Sequence, residues 1–440
     1  MNYNIMEYAF PFILVLVLAE MLFAFLGKKQ YYHVNTFIGD ISNGVLFGLA
    51  GIVILAGALS VYAFIETNLS LASLGFSFFV WESPLAFEDG FSIKPAALFS
   101  WFVALVLVDF IYYWFHRLAH EINILWACHV THHSSEELNL SVAFRGNAFQ
   151  RIFEYIFFLP LAFLGIPWLV FLLCHRIMKI YQCVVHTRFF GKLGFWELFM
   201  VTPSNHRVHH GTQPQYIDRN HGGIFIIWDR LFGTYEPEGE EPLYGITRPV
   251  ETFNPIFNNV HVYGEIFKDV RQSRTFGDKM RIIFGYPGWK PEYMRTEEYG
   301  ILKNPVYEKI YNPKLPKRKS FYALCQAINI ILLGMITWKI AKEPNTSLLF
   351  ILPMSFFVIF EIVSINGVLD SRSWSYLTEY SRHIFLFCTA AAIYFSNSLP
   401  NTTILPYALI PMMTVSLLST LWFFVMNRQL ALREKIPVAA

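Results

Sequence analysis

Long apolar runs constrain this chain more than any other feature of its sequence. The 440 residues are 55% hydrophobic and 15% charged, whereas soluble domains carry roughly 25% charged residues. A helix needs about 20 mostly apolar residues to cross a bilayer. Windows of this kind predict seven spans, at 8–27, 44–66, 95–115, 320–340, 347–368, 383–398 and 404–426, and an apolar hairpin over 148–173 that continues as a helix to 186. The sequence therefore predicts an all-α, multi-pass transmembrane protein.

The remaining composition argues against several other classes of protein. A net charge of +2 gives no reason to expect a nucleic-acid partner. The first span is not expected to be a cleaved signal peptide, because no basic residue precedes it and Gly-Lys-Lys follows it. The five cysteines form no Cys-x-x-Cys pair, so we expect free thiols rather than a disulfide framework.

Basic residues predict the orientation of the chain, because they favour the cytosolic side of a membrane. Lys28 and Lys29 follow the first span, Lys94 is the one basic residue of the loop 67–94, and the polar stretch 187–319 is rich in Lys and Arg. We therefore expect a histidine-rich di-metal cap at the cytosolic face of the bacterial inner membrane or the endoplasmic reticulum. The predicted domains are a membrane-embedded di-metal domain, 1–319, and a four-span block, 320–440.

Eight of the fourteen histidines lie in three short boxes within this first domain. The boxes are His116-Arg-Leu-Ala-His120, His129-Val-Thr-His132-His133 and His206-Arg-Val-His209-His210. Imidazole can ligate a transition metal while it stays neutral at physiological pH. Adjacent histidines on a helix point in different directions, so each HxxHH box can serve two metals or bridge one site from both sides. Eight ligands exceed what one tetrahedral ion needs, and we predict a two-metal centre that acts on a compound dissolved in the membrane.

Further histidines are candidates for the same centre. His186 ends an apolar helix beside the boxes and is expected to be an additional ligand. It shares a helix face with His175, Lys179 and Gln182, and such a face must look into protein or a polar cavity. His175 lies about 16 Å from His186 along the helix, so we expect it to be a hydrogen-bonded polar residue instead. His221 is left open as a ligand, a substrate contact or a turn residue.

Three carboxylates stand out because of where they lie. Glu121 follows His120 directly, so it could ligate a metal, orient a histidine through its second ring nitrogen, or be a solvated charge at a helix end. Asp109 falls inside a predicted span, where an unpaired carboxylate is costly, and pairing with Lys179 or Arg176 is the hypothesis. Glu20 raises the same question without an evident partner.

Two other classes of protein use histidine clusters. A zinc hydrolase typically needs three protein ligands, a water and a general base, which is fewer ligands than this chain offers. A metal transporter would place its ligands along a path inside the membrane rather than in boxes at its edge. Iron in the purified protein would separate an oxygenase from both.

Five segments together resemble the fatty acid hydroxylase/sterol desaturase superfamily of membrane di-iron oxygenases, and within it the branch that oxidises ether lipids of the alkylglycerol type. The likeness covers about residues 1–300. Its segments are Asp109-Phe-Ile-Tyr-Tyr-Trp-Phe-His-Arg-Leu-Ala-His-Glu121, Thr131-His-His-Ser-Ser-Glu136, Tyr181-Gln-Cys-Val-Val-His-Thr187, Thr202-Pro-Ser-Asn-His-Arg-Val-His-His-Gly211 and Ile226-Ile-Trp-Asp-Arg-Leu-Phe-Gly-Thr234.

The resemblance implies a site and a reaction. It implies two irons held by the box histidines and a further one such as His186, activation of O2, and dependence of activity on Glu121. It also implies an electron donor, which is tetrahydrobiopterin in the animal enzyme, and hydroxylation next to an ether oxygen to give a hemiacetal that breaks down to an aldehyde. Fatty acyl or membrane-lipid hydroxylation, and sterol or carotenoid chemistry, remain alternatives. In the superfamily a histidine often precedes the third box, where this chain has Asn205, so one metal here could be more open.

The substrate is expected to lie across the membrane edge. Its apolar tail would enter between the helices near 95–120 and 148–186. Its polar head would lie near Arg145, Arg207 or Lys179, because these cations stand beside the boxes in the sequence.

Overall fold

The computed structural model describes residues 5–86, 92–296, 299, 310–342, 348–396, 414–415 and 417–428 of the chain. Its thirteen numbered helices are α1 Ile5–Leu26, α2 Val34–Asn68, α3 Pro95–Glu121, α4 Asn123–His133, α5 Gln150–Phe163, α6 Trp168–Val184, α7 Pro203–His209, α8 Ile227–Leu231, α9 Pro255–Gln272, α10 Phe276–Phe284, α11 Lys317–Ala341, α12 Leu348–Leu369 and α13 Ser375–Ser396. Short 3-10 helices are Leu140–Phe144, Gly194–Leu198 and Glu292–Met294. Two antiparallel strands of two residues each, β1 Leu85–Ala86 and β2 Ser92–Ile93, lie between α2 and α3. The predicted all-α class is confirmed.

Four helical stretches of the described chain are long and apolar enough to cross a membrane, which makes this an integral membrane protein. They are Val34–Asn68, Pro95–Glu121, Lys317–Ala341 and Ile351–Leu369. A shorter apolar stretch, Phe12–Leu26, lies in α1. Of the predicted span 404–426, residues 414–415 and 417–426 are helical and the others lie outside the described residues.

Two helices begin earlier than hydropathy predicts. α2 begins at Val34 rather than at residue 44, and α13 begins at Ser375 rather than at residue 383. The start of α2 is polar but buried, and Asn35 Nδ2 donates to Asn312 Oδ1 at 2.8 Å. Hydropathy windows do not detect this first part of the helix because its residues are polar. These polar groups can be buried because a tertiary hydrogen bond compensates for the loss of water.

The predicted apolar hairpin is present as α5 and α6. The turn between them passes through Gly165, whose φ of +81° is in the left-handed region. A Cβ at this position would lie 2.7 Å from Cβ of Ala72. Glycine is therefore required both by the backbone conformation and by the close approach of the neighbouring segment.

α3 is at the centre of the helices that carry the histidines. It packs against α4, α5 and α6, and the buried contacts include Val108, Phe115, Phe158, Phe171 and Met178. This packing presses one face of α6 against α3 and α5. That face carries His175, Lys179 and Gln182, as the helical spacing predicts.

The chain divides into two compact units. Unit 1 is Met1–His33, Ala50–Glu251 and Phe257–Tyr311, and unit 2 is Val34–Leu49, Thr252–Ile256 and Asn312–Ala440. All the box histidines lie in unit 1. Inside unit 2 the fully buried Arg382 pairs with Glu361 at 2.9 Å and with Glu379 at 2.8 Å, so its charge is compensated within the protein. The domain boundary after residue 319 stays a prediction.

Candidate metal centre

Nine histidines converge in unit 1 as two separate groups. Within each group, one nitrogen from every ring lies within 4.8 Å of the others. The first group is His116, His120, His129, His133 and His209, and the second group is His132, His186, His206 and His210. The three boxes and His186 are thus brought together, although 70 residues of sequence separate His116 from His186.

The HxxHH boxes divide their histidines between the groups. On α4, His129 and His133 are four residues apart and share a face, with their Nε2 atoms 3.3 Å apart, whereas His132 faces the second group. In the third box His206 and His210 belong to the second group, with Nε2 atoms 3.1 Å apart, and His209 belongs to the first. Helical spacing requires the adjacent residues at i+3 and i+4 to point in different directions. In both boxes the residue at i+4 joins the residue at i.

α7 is held at its start by a capping box. The Thr202 hydroxyl accepts from the backbone N–H of Asn205, and the Asn205 side chain accepts from the backbone N–H of Thr202 at 3.1 Å. Asn205, which replaces the histidine often found before the third box, therefore stabilises the first turn of the helix that presents this box.

Four imidazoles are oriented through their outer ring nitrogen. The Nδ1–H groups of His116, His186 and His209 donate to the backbone carbonyls of His221, Gln182 and Arg219 at 2.8, 2.6 and 2.9 Å. His120 Nδ1 donates to Asp218 Oδ1 at 3.2 Å. A carbonyl or carboxylate can only accept, so each ring carries its proton on Nδ1 and turns the Nε2 lone pair inward. This is the usual arrangement of histidines that ligate a metal.

The inward lone pairs fit a bound metal ion. Nε2 of His120 and Nε2 of His209 are buried and have no hydrogen-bond partner among the described residues. A buried polar atom left unpaired costs about 1–3 kcal/mol, and a cation on the lone pairs would remove that cost. Clusters of imidazole nitrogens suit iron, zinc or copper.

The imidazoles outside the spanning helices are held neutral. Burial lowers the pKa of His186 to about 4. Burial, and then the charge of neighbouring imidazoles and of Lys179, holds the pKa of His132 and that of His129 well below the usual range. Neutral rings keep their lone pairs at physiological pH, as metal ligation requires.

The other two candidate histidines lie outside the two groups. His175 Nε2 donates to Glu154 Oε1 at 3.0 Å, which agrees with the expected role as a hydrogen-bonded polar residue. His221 is fully buried, and its ring centroid lies 5.1 Å from that of His120. Its backbone takes part in the site: the carbonyl accepts from His116, and the N–H donates to Asp229 Oδ1 at 2.7 Å. Both ring nitrogens are buried and have no hydrogen-bond partner among the described residues.

The carboxylate that orients His120 is Asp218, which sequence reasoning missed. Glu121 instead accepts from Arg117 Nε at 2.9 Å, and 37% of its side chain is exposed. Burial alone would raise the pKa of Asp218, but hydrogen bonds from His120 and Tyr286 outweigh it and keep that pKa below its usual value. Asp218 has a φ of +56°, so it belongs to a tight turn between the third box and α8. The sequence signal that could have identified Asp218 is an acidic residue in the short loop after the third box.

The hypothesis that Asp109 pairs with Lys179 or Arg176 is wrong. Asp109 accepts from the backbone N–H of Ile224 at 2.6 Å and from Trp228 Nε1 at 2.9 Å, and Lys179 pairs with Glu154 at 2.8 Å. A Cβ on Gly223 would lie 2.5 Å from Asp109 Oδ1. Glycine therefore lets the loop approach the carboxylate closely enough for backbone N–H groups to satisfy it.

Glu20 has three partners, although the sequence suggested none. It accepts from the hydroxyls of Tyr32 and Thr187 and, at 2.8 Å, from the backbone N–H of Leu140. Thr187 follows His186 directly, so this buried carboxylate ties α1 to the segment that presents a histidine of the second group.

All three cations considered for a substrate head have partners within the protein. Arg145 is buried and donates to the carbonyl of Thr131 at 2.8 Å and to the Ser134 hydroxyl at 2.9 Å. Arg207 is buried and makes a two-pronged ion pair with Glu238. These two side chains hold loops beside the histidines, and Lys179 pairs with Glu154 at 2.8 Å.

Comparison with known proteins gives a consistent result. The sequence model of the family described as fatty acid hydroxylase matches residues 101–234, the part of the chain that contains all three boxes. The alkylglycerol monooxygenase of Xenopus tropicalis is 32% identical over 91% of this chain and 85% of its own length. The alkylglycerol monooxygenase of Homo sapiens is 35% identical over 84% and 79%. The ornithine lipid hydroxylase OlsE of Rhizobium tropici is 32% identical over 34% and 46%. No solved structure matches the chain.

Proposed function

Since this chain belongs to the fatty acid hydroxylase family and, within it, to the alkylglycerol monooxygenases, it is a membrane lipid monooxygenase, and we propose that it oxidises the carbon next to the ether oxygen of an alkylglycerol at a two-iron centre. The observation that carries the proposal is the pair of inward-facing histidine groups at the end of α3. Five and four imidazoles are enough to hold two ions and still leave positions for a reactant.

The two histidine groups would each hold one iron. Iron supplies the activation of O2 to an oxidant able to cleave an unactivated C–H bond, which zinc cannot do because it has no redox chemistry. The chain itself holds the rings in one tautomer through the carbonyls of Gln182, Arg219 and His221 and through Asp218. It also surrounds them with apolar packing from α3, α5 and α6, which keeps bulk water from the reacting carbon.

An ether lipid suits this centre for a chemical reason. Its apolar tail would enter between α3 and the α5–α6 hairpin, which places the carbon next to the ether oxygen at the histidine groups. That oxygen stabilises the radical formed when hydrogen is removed from the neighbouring carbon. The hydroxylated product is a hemiacetal, which breaks down to a fatty aldehyde and glycerol. Two electrons are needed for each O2, and we propose a reduced pterin such as tetrahydrobiopterin, or an equivalent reductant, as their source.

Labelled oxygen tests this reaction. We expect cells that express the chain under ¹⁸O₂ to lose alkylglycerols and gain aldehyde or acid that carries the label, and lipid mass spectrometry measures both. Cells expressing the His132→Ala chain are the control. A lipid that gains one labelled oxygen and stays intact would overturn ether cleavage and favour the second candidate, a membrane-lipid hydroxylase, which the similarity to the ornithine lipid hydroxylase supports.

Glu121 and Asp218 have different proposed roles next to His120. Asp218 orients the imidazole, whereas Glu121 holds Arg117, which in turn donates to the Tyr113 hydroxyl at 3.3 Å. We expect Asp218→Asn to weaken iron binding about 10–100-fold, the usual effect of losing a partner behind a ligand. Glu121→Gln should lower turnover while iron binding stays unchanged. Iron titration together with a turnover assay compares the two variants, and iron loss in Glu121→Gln would make Glu121 a metal ligand instead.

We also propose that the site faces the cytosol. The basic residues Lys28 and Lys29 after α1, and those at the start of α11, support this orientation. A cysteine introduced at the exposed Glu240 should react with a membrane-impermeant maleimide after permeabilisation of cells and not before it. Labelling of intact cells would contradict the orientation.

A further inference from the structure

An exposed apolar loop follows His186 of the second histidine group. Residues 189–198, here called the aromatic loop, lie between α6 and α7 and are not part of any candidate span found among the described residues. Phe195 and Trp196 are 69% and 57% exposed. The other exposed large apolar side chains of the loop are Phe189, Phe190, Leu193 and Leu198. A contiguous exposed apolar surface of this kind indicates contact with a partner or with a membrane.

Hydrogen bonds at its base hold the aromatic loop in a defined conformation. Arg207, which lies within the third box, donates from Nη1 to the carbonyl of Phe190 at 2.7 Å. The backbone N–H of Leu193 donates to Glu197 Oε1 at 2.9 Å, and Arg230 Nη2 donates to the carbonyl of Glu197 at 2.8 Å. The exposed rings are therefore presented by a fixed backbone, and the loop is tied to the helix that carries the third box.

The aromatic loop begins at the level where a membrane span ends. α3 is long and apolar enough to cross a bilayer, and its last two turns carry His116 and His120. His186 lies at the same level, because its Nε2 is 3.2 Å from that of His132 on α4, which follows α3 directly. The end of a span marks the lipid head-group layer. The loop starts just after His186 and therefore starts at that layer.

The composition of the loop suits the surface of a bilayer. Tryptophan rings concentrate at the boundary between acyl chains and water, and a lysine beside them can extend its amine to the lipid phosphates. Trp196 and the exposed Lys192 supply both groups. Glu197, the one acidic residue of the loop, accepts from the Leu193 N–H and from the Thr202 hydroxyl. Its charge is thus directed into the loop and not at the phosphates.

We propose that the aromatic loop inserts into the lipid head-group layer, with Phe190, Phe195 and Trp196 among the upper acyl carbons and Lys192 at the lipid phosphates. The loop then fixes the depth of the second histidine group, to which it is tied through Arg207. A centre at this depth meets the bond between the head and the chain of a membrane lipid. Insertion is independent of the reaction catalysed, whereas its effect on turnover rests on the proposed function.

Depth-dependent fluorescence quenching tests the insertion. The full chain is reconstituted in phosphatidylcholine vesicles with an environment-sensitive fluorophore attached to the Phe195→Cys variant. The natural cysteines that are not buried are first replaced by serine, and they are Cys183, Cys325 and Cys388. We expect a lipid with a nitroxide near the top of its acyl chain to quench the label, and aqueous iodide to leave it unquenched, as for a depth of about 5–10 Å.

Two exposed positions of the same unit provide the references. Glu240→Cys lies in a polar loop, and its label should be quenched by iodide alone. Phe102→Cys lies on an exposed face of α3, and its label should be quenched by lipid nitroxides alone. A Phe195 label that behaves like the Glu240 label would overturn the insertion. A label that neither quencher reaches would also overturn it, because a second copy or another protein would then cover the loop.

The effect on turnover is tested with a pair of double variants. Phe195→Ser/Trp196→Ser removes the apolar rings, and Phe195→Leu/Trp196→Phe keeps the apolar character. We expect the serine variant to keep its iron content and its turnover of 1-O-hexadecylglycerol in detergent, and to lose most of that turnover in vesicles. The conservative variant should keep turnover in both. Equal turnover of the two variants in vesicles, or loss of iron from the serine variant, would overturn the role in fixing depth.

The two experiments separate this inference from the proposed function. If the wild type oxidises no ether lipid but its Phe195 label is quenched from the lipid, ether oxidation fails and the insertion stands. If the wild type oxidises ether lipids while the label is quenched only by iodide, the insertion alone is wrong.

Discussion

The His132→Ala variant is expected to lose lipid oxidation, by more than about a hundredfold, together with one of the two irons that we propose. His132 belongs to the group of four imidazoles, and its Nε2 lies 3.2 Å from that of His186. Removal of one ligand from four leaves three, and even loss of a partner behind a ligand usually costs 10–100-fold. Because both irons are needed to activate O2 in the proposed reaction, loss of the second site should abolish turnover rather than lower it in part.

Metal analysis and a turnover assay on the same preparations measure this effect. His261→Ala is the matched control, because His261 lies on α9 and bonds to carbonyls of its own helix. It should keep both irons and full turnover. If His132→Ala retains turnover, the assignment of the second group as a metal site is wrong. If it loses turnover but keeps two irons, His132 acts on the substrate rather than on the metal.

Exchange of the metal is expected to have an equally large effect. Chelation should remove the metal and all activity, and added Fe(II) should restore O2 uptake and lipid oxidation. Zn(II) should bind the same imidazoles and restore neither, because it has no accessible redox change. The measurement is O2 consumption and product formation by protein reconstituted with each ion, with bound metal counted in each sample.

The outcome with zinc also decides between classes of protein. Lipid cleavage by the zinc-loaded protein without O2 uptake would indicate a hydrolase. Movement of metal across vesicles that contain the protein, without any lipid product, would indicate a transporter. The histidines are clustered at the end of α3 and do not follow a path through the spans. This arrangement favours neither a hydrolase nor a transporter.

The histidine groups show which features of the site the spacing of residues in the sequence can predict. Division of His132 from His133 and of His209 from His210 follows from helical geometry, which operates over four residues and needs no knowledge of the fold. His186 was predictable for a similar reason, because it lies just after a helix whose polar face must be buried. Its membership of the second group, however, requires the approach of segments far apart in the chain.

The sequence indicates that the buried carboxylates need partners, but it does not indicate which groups those partners are. Asp109 and Glu20 each had to find a partner, since an unpaired carboxylate in a membrane protein is costly. Asp109 takes backbone N–H groups more than 100 residues away, and Glu20 binds Tyr32, Thr187 and the Leu140 backbone. Sequence reasoning chose cations for Asp109 because side-chain charges are visible in a sequence and free backbone donors are not.

The sequence by itself determined that this chain is helical and membrane-embedded, that its histidines form two sets, and to which family it belongs, because apolar windows, helical periodicity and local motifs all operate over short distances. Only the tertiary structure decided that Asp218 and not Glu121 orients His120, that Arg145 and Arg207 hold loops, and that Lys179 is paired with Glu154 beside the histidines. Each of these depends on which of several similar polar groups comes within about 3 Å of another. That choice is made by the packing of helices, which brings together residues that the sequence keeps apart.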